Sequence, residues 1–240
     1  MSGPIGGSFA QALEERTQRQ RRRRLIRWGV IAGIVLVLGF LVWLVTLSPV
    51  FRVHDVTVQG NELVSADDIR FAAMVVPDSR MITVDLDGIE ARVVELPAVR
   101  GVEVSRDLPD TVVIDVTERT VIFQRVEAGT FQWVDEHGVI FSTSNEPVEG
   151  VLQAVTAGKD SRVLKDVAEV VSHIPPELLS QVARVQAEAV DRITLEMDEG
   201  DLVVWGSAEQ SALKADVLAA LLSVDATLYD VSAPSHPTTK

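Results

Sequence analysis

One spacing in this sequence matches a catalytic pattern. Ser211 and Lys214 form S-x-x-K, in which a lysine one helical turn away activates a serine nucleophile, as in penicillin-binding proteins. The companion motifs of that enzyme class, Lys-Thr-Gly and Ser-x-Asn, do not occur in the chain. We therefore interpret Ser211 as an early residue of a helix and predict that the protein is not an enzyme.

A second group of residues has the types that bind metal ions. Asp135, Glu136 and His137 are consecutive, and three consecutive side chains converge on one ion only around a sharp turn. Gly138 follows them and no second histidine lies nearby, so a solvated hairpin turn is the better interpretation. Because the chain has no cysteine, thiolate metal sites and disulfides are excluded. We predict no metal, no cofactor and no small-molecule substrate.

Charge is divided unevenly along the chain. Seven arginines against two glutamates give residues 1–27 a charge of +5. Because the net charge of the chain is −13, residues 28–240 carry −18. A strongly acidic region argues against nucleic acid and against anionic lipid surfaces as partners.

Residues 28–47 are the element around which the chain is arranged. They are twenty uncharged, mostly hydrophobic residues, enough for a helix of about 30 Å, the thickness of a bilayer core. Because basic flanks stay in the cytoplasm, the arginines before this segment predict a cytoplasmic N-terminus, a single-pass type II anchor in the plasma (inner) membrane and extracytoplasmic domains. This topology signal comprises Arg21, Arg22, Arg23, Arg24 and Arg27.

A cleaved signal peptide is the alternative for this segment. The apolar run is too long for one, and Val45-Thr46-Leu47 is not a small-x-small cleavage site. Residues 1–27 are predicted to form a largely disordered basic tail in front of the span.

Residues 50–119 have the pattern of a small α+β domain in the order β-α-α-β-β. Alternating apolar residues predict strands, and Ser65 with Asp68 forms a capping box at the start of the first helix. Apolar residues at helical spacing predict that both helices cover one face of the sheet.

This order of elements after a single span resembles the FtsQ/DivIB family of bacterial cell-division proteins. The resemblance rests on Phe51-Arg52-Val53, Leu96-Pro97-x-Val99, Val104-x-Arg106-x-x-Pro109 and Val116-Thr117-Glu118-Arg119. Two positions depart from the family: Leu108 stands where Trp is common, and Thr120-Val121 replaces the usual Pro-Val. The resemblance implies that residues 50–119 are a POTRA domain.

Residues 120–232 are predicted to form a second, β-rich domain with two or more helices. One helix is predicted at 162–173, ended by Pro175-Pro176. Another is opened by Ser207, with Leu213, Val217 and Leu221 on its buried face. The polar residues 233–240 are predicted to be a disordered tail.

The last predicted strand, 226–232, is the candidate partner-binding site. A strand that ends a domain is expected at a sheet edge, where free backbone groups accept another chain. The candidate contact residues are Leu228, Tyr229, Asp230, Val231 and Ser232, with Tyr229 as aromatic anchor. In the alternative, this strand completes the core and Tyr229 packs on the preceding helix.

By resemblance, the protein is a non-enzymatic scaffold of the divisome at the division septum. The implied partners are the single-span proteins FtsB and FtsL and, through them, the septal peptidoglycan synthase. The alternative function is that of another POTRA-containing membrane protein, which binds or translocates a polypeptide.

Overall fold

The computed structural model describes residues 27–44 and 48–240 and confirms the predicted α+β class. Helix α1, Arg27–Leu44, has a mean hydropathy of 2.1, and its length and composition suffice to cross a membrane. Arg27 is its first residue. Arg21 to Arg24, the remainder of the predicted tail and residues 45–47 of the predicted span lie outside the described residues.

Within residues 48–240, five further α-helices and twelve strands follow α1. The helices are α2 (Ala66–Ala73), α3 (Leu86–Val93), α4 (Ser161–His173), α5 (Pro176–Leu179) and α6 (Ser211–Leu221). The strands are β1 (Asp55–Gln59), β2 (Val99–Asp107), β3 (Thr111–Glu118), β4 (Phe123–Glu127), β5 (Thr130–Val134), β6 (Ile140–Ser144), β7 (Gln153–Thr156), β8 (Val182–Ala189), β9 (Arg192–Met197), β10 (Leu202–Gly206), β11 (Leu228–Asp230) and β12 (Thr238–Thr239).

The chain forms two compact units. Among the described residues, one unit contains α1 with 48–57, 75–86 and 105–113, and the other contains 58–74, 87–104 and 114–240. The boundaries between these units differ from the predicted domain limits, 50–119 and 120–232, which stay a prediction.

The first sheet has the strand order β1-β3-β2. The predicted capping box is present: Asp68 donates its backbone N–H to Ser65 Oγ at 3.1 Å, and the Ser65 hydroxyl donates to Asp68 Oδ2 at 2.6 Å. This cap satisfies an amide that the first turn of α2 leaves without an intrahelical partner. Buried residues Ile69 and Ala73 of α2, and Ile89 and Val93 of α3, lie at the predicted helical spacing.

The second sheet has nine strands in the order β12-β11-β10-β9-β8-β7-β4-β5-β6. Helices α4 and α6 belong to its main hydrophobic core, which includes Phe123, Val167, Leu195 and Trp205. The expectation of a disordered 233–240 tail is wrong, because this segment contains β12, which pairs with β11.

Helix α6 differs from the prediction in its start and its buried face. It begins at Ser211, after Gln210 in a left-handed conformation, and not at Ser207. Of the predicted buried residues, Leu213 is 48% exposed, whereas Val217 and Leu221 are half-buried against the core. Lys214 and Leu218, which were not predicted, are buried. The helix is apolar around most of its circumference, so hydrophobic spacing does not select a face. Packing on α4 and the hydrogen bonds of Ser211 and Lys214 to Trp205 of β10 decide it.

Candidate functional site

The predicted partner strand is shorter than expected and does not lie at the sheet edge. Strand β11 pairs in parallel with β10 on one side and antiparallel with β12 on the other. Our expectation that residues 226–232 form the edge is therefore wrong. The chain after Val231 turns back, and its last residues cover the outer side of β11.

Tyr229 is part of the core. Its side chain is buried, and its hydroxyl donates to the Val224 carbonyl at 2.8 Å. Val231 is also buried and donates its N–H to the Val204 carbonyl at 3.0 Å. Tyr229 of β11 and Val231 just after it are two positions apart, so in an extended chain both side chains point to the same side, which here is the core. The alternative interpretation of Tyr229, as a residue that completes the core, describes the structure better than an exposed anchor does.

The other predicted contact residues lie nearer the surface. Leu228 and Asp230 are half-buried, and Ser232 is exposed. The Asp230 carboxylate accepts hydrogen bonds from the Ser232 backbone N–H at 2.9 Å and hydroxyl at 2.6 Å. Of the five predicted residues, these three could still contact a partner through side chains.

The edge itself is formed by β12. Lys240 donates its N–H to the Leu228 carbonyl at 2.9 Å and accepts the Leu228 N–H at 3.1 Å. Because backbone groups alternate in direction along a strand, the N–H and C=O of Thr239 point away from β11. In the part of the chain that the structure describes, no strand pairs with that side. Sequence patterning missed this edge because Thr238–Thr239 is short and polar and lies between Pro237 and the last residue.

The S-x-x-K residues are committed to structural hydrogen bonds. Ser211 Oγ accepts the indole N–H of Trp205 at 3.2 Å and donates to the Ala208 carbonyl at 2.7 Å. Lys214 Nζ donates to the carbonyls of Trp205, at 3.0 Å, and Ser207, at 2.8 Å. Together they hold the loop between β10 and α6.

Burial lowers the pKa of Lys214 below its ordinary value, because desolvation penalises the ammonium form. The negative charges of Glu209 and Asp230 offset part of this effect. Since the folded-state pKa is depressed, the unfolded chain binds the proton more tightly. Burial of the Lys214 ammonium therefore lowers the stability of the fold at low pH, and this penalty is lost as the pH rises from the folded pKa towards the unfolded pKa.

Ser211→Ala is expected to lower the free energy of unfolding by about 1–2 kcal/mol, because the buried Trp205 N–H loses its acceptor. Division should continue normally at matched protein level. Denaturant unfolding of the purified chain and growth of complemented cells check both outcomes. Ser223→Ala, which removes an exposed hydroxyl, is the control and should change stability by less than about 0.5 kcal/mol. A division defect in Ser211→Ala at unchanged stability and protein level would contradict the structural role.

The Asp135 segment is a hydrogen-bonded turn. Asp135 Oδ1 accepts the N–H groups of His137, at 2.9 Å, and Val139, at 2.8 Å, and Oδ2 accepts Arg119 Nη1. The side chains of Glu136 and His137 are about half exposed. Among residues 27–44 and 48–240, no group of three potential ligands could hold a metal ion. The pairing of Arg119 with Asp135 was not predicted, although Arg119 stands in one of the motifs that suggested the family.

Two family profiles match the chain. Residues 51–119 match the POTRA domain, FtsQ-type, and residues 123–232 match Cell division protein FtsQ/DivIB, C-terminal. Cell division protein FtsQ of Streptomyces bingchenggensis is 34% identical over 235 residues, covering 92% of this chain and 88% of that protein. FtsQ of Streptomyces coelicolor is 30% identical, covering 99% and 98%.

The chain is also similar to solved structures. The major extracytoplasmic domain of the cell-division protein DivIB from Geobacillus stearothermophilus has 18% sequence identity and a TM-score of 0.37, covering 45% of this chain and 93% of that chain.

The class of protein follows from these elements: one apolar N-terminal helix, a POTRA-type domain and a β-rich region with helices. Within that class, the chain belongs to the FtsQ/DivIB family of non-catalytic cell-division proteins. The family suggested by the sequence motifs is thereby confirmed.

Proposed function

We propose that this chain is a non-enzymatic scaffold of the divisome that recruits FtsB and FtsL and, through them, links to septal peptidoglycan synthesis. Family membership supports a role in division. The observation that carries the recruitment proposal is the free outer side of β12 at the end of the nine-stranded sheet. An exposed strand of this kind can accept a strand from another chain.

The proposed orientation places the N-terminus in the cytoplasm and both domains outside, at the septum. A reporter that is active only outside the cytoplasm should work when fused after Lys240 and fail when fused before Gln11. Replacing Arg21 to Arg24 with serine should weaken this preference without preventing insertion, because hydrophobicity drives insertion and charge sets direction. A reporter active only at the N-terminus would overturn the orientation.

The proposed contact with FtsB is strand addition on β12. The partner strand would hydrogen-bond to Thr239, whose backbone groups point outwards. Leu228, Asp230 and Ser232 lie on or beside the next strand inwards and could contact partner side chains. Tyr229 and Val231 would support this edge from the core side.

Thr239→Pro is expected to weaken binding of FtsB about five- to tenfold, because it removes one outward backbone donor. The inward bonds of Leu228 with Lys240 do not use that donor, so the pairing of β11 with β12 should persist. Titration of FtsB into the purified chain measures the change. Thr239→Ala keeps the donor and is the matched control.

Unchanged affinity in Thr239→Pro would place the FtsB site elsewhere. A chain that localises to the septum but binds unrelated extended polypeptides as tightly as FtsB would favour the alternative function, a general polypeptide-binding module.

A further inference from the structure

Two arginines face each other across a β-bridge, and one of them follows the apolar helix closely. Arg52 and Arg80 are the partners of an isolated antiparallel β-bridge, which is flanked by a hydrogen bond from Val53 N to Ser79 O at 2.9 Å. Both residues are exposed. Across the described residues, neither side chain forms an ion pair, and the nearby Asp78 lies 3.8 Å from His54 instead. Like charges directly opposite each other are destabilising, and a bound anion would relieve their repulsion, so this pair is suited to binding an anion.

An apolar groove lies in the same compact unit. Its volume is about 420 Å³, and it is lined by Phe51, Met81, Ile82, Arg106 and Leu108. Ile82 is 56% and Leu108 63% exposed, so both apolar side chains are available for contact. Arg106 donates to the carbonyls of Met81, at 2.9 Å, and Val84, at 2.7 Å, so its guanidinium fixes the wall of the groove.

Chain connectivity limits the distance of these residues from the membrane. Ser48 donates its N–H to the Leu44 carbonyl at 3.2 Å, and a 3-10 turn at Pro49–Phe51 follows directly. Phe51 follows Leu44 by seven positions, a distance along the chain that can span at most roughly 20–25 Å. If α1 crosses the bilayer, the groove and the arginine pair therefore lie close to the lipid headgroups.

We infer that Arg52 and Arg80 bind the phosphate of an anionic phospholipid in the extracytoplasmic leaflet, while Ile82 and Leu108 contact the boundary of the acyl chains. Guanidinium groups match phosphate oxygens in geometry and charge. The combination of basic and apolar side chains is typical of surfaces that lie on membranes. Because residues 28–240 carry −18 overall, the acidic remainder is repelled by the same lipids, so any contact is confined to this locally basic surface.

The absence of cysteine permits a direct test in the full chain. A spin label is attached to the Leu108→Cys variant, which is placed in nanodiscs made of phosphatidylglycerol and phosphatidylcholine. The rate at which the label collides with oxygen is then compared with the rate at which it collides with a water-soluble nickel complex. We expect the label to contact lipid in anionic discs and less so in discs of phosphatidylcholine alone. Leu213→Cys, 48% exposed in the unmodified chain, is the matched control and should stay in water.

Adding Arg52→Gln and Arg80→Gln should lower the ratio of docked to undocked label about fivefold for each arginine removed. Arg52→Lys with Arg80→Lys should retain part of the docking, because charge remains but the planar donor pair is lost. Three results would each overturn the proposal. They are unchanged docking in the glutamine variants, equal docking in both lipid compositions, and a label at position 108 that is as accessible to the nickel complex as the label at position 213.

The proposal rests on the proposed membrane anchor, and on its orientation only for the choice of leaflet. Both faces of a nanodisc meet the same solution, so label docking does not depend on the orientation of the chain in the cell. Failure of the topology reporter and failure of label docking are therefore separate results.

Discussion

Asp135→Ala is expected to lower the free energy of unfolding by about 3–5 kcal/mol. The Asp135 side chain is 4% exposed and pairs with Arg119, which is itself 19% exposed. Its loss leaves that guanidinium without its carboxylate and the N–H groups of His137 and Val139 without their acceptor. Denaturant unfolding of the full chain, followed by tryptophan fluorescence, measures the change.

The expected effect exceeds that of an ordinary salt bridge because the pair is shielded from water. Arg119 also donates Nε to the Pro97 carbonyl at 3.1 Å, and its backbone N–H to the Ala98 carbonyl at 2.8 Å. The carboxylate of Asp135 therefore holds an arginine that joins several segments of the second compact unit. An isolated surface pair has no such role.

Glu136→Ala is the matched control for Asp135→Ala. Glu136 pairs with Arg100 at 2.7 Å, but the two side chains are 46% and 51% exposed. Solvent screens a pair of this kind, so its loss should cost less than about 1 kcal/mol. Equal losses in the two variants would show that burial of Asp135 does not matter.

Gly138→Ala is expected to lower the free energy of unfolding by about 3–4 kcal/mol. Gly138 has φ +76°, and a Cβ built there would lie 2.5 Å from the backbone N of Lys165 and 2.9 Å from the Ser161 carbonyl oxygen. A left-handed conformation costs an L-residue about 1–2 kcal/mol. The remainder arises because the backbone of α4 must move to relieve the contact. Thermal and denaturant unfolding of the purified variant check this value.

Gly129→Ala separates the two contributions. Gly129 has φ +85°, yet nothing lies within 4 Å of the position of its Cβ. Only the conformational cost of about 1–2 kcal/mol should therefore appear. If both variants lost the same stability, close contact with α4 would not be the reason that position 138 requires glycine.

Features that depend on neighbouring residues could be predicted from the sequence. The apolar helix, the Ser65–Asp68 cap and the alternation in β3 are set by charge, capping chemistry and side-chain periodicity within short segments. Their order was sufficient to suggest the family. Periodicity failed in α6, because a helix that is apolar on most sides does not indicate which side is buried.

The candidate sites depended on the tertiary structure. Pairing of Thr239 with Tyr229, of Arg119 with Asp135 and of Arg52 with Arg80 joins residues that are ten or more positions apart. By itself, the sequence determined the apolar helix, the acidic charge of residues 28–240 and the residue types available for contact. Only the tertiary structure decided that Tyr229 is buried, that β12 forms the edge and that two arginines meet, because strand register and packing between distant segments select these neighbours.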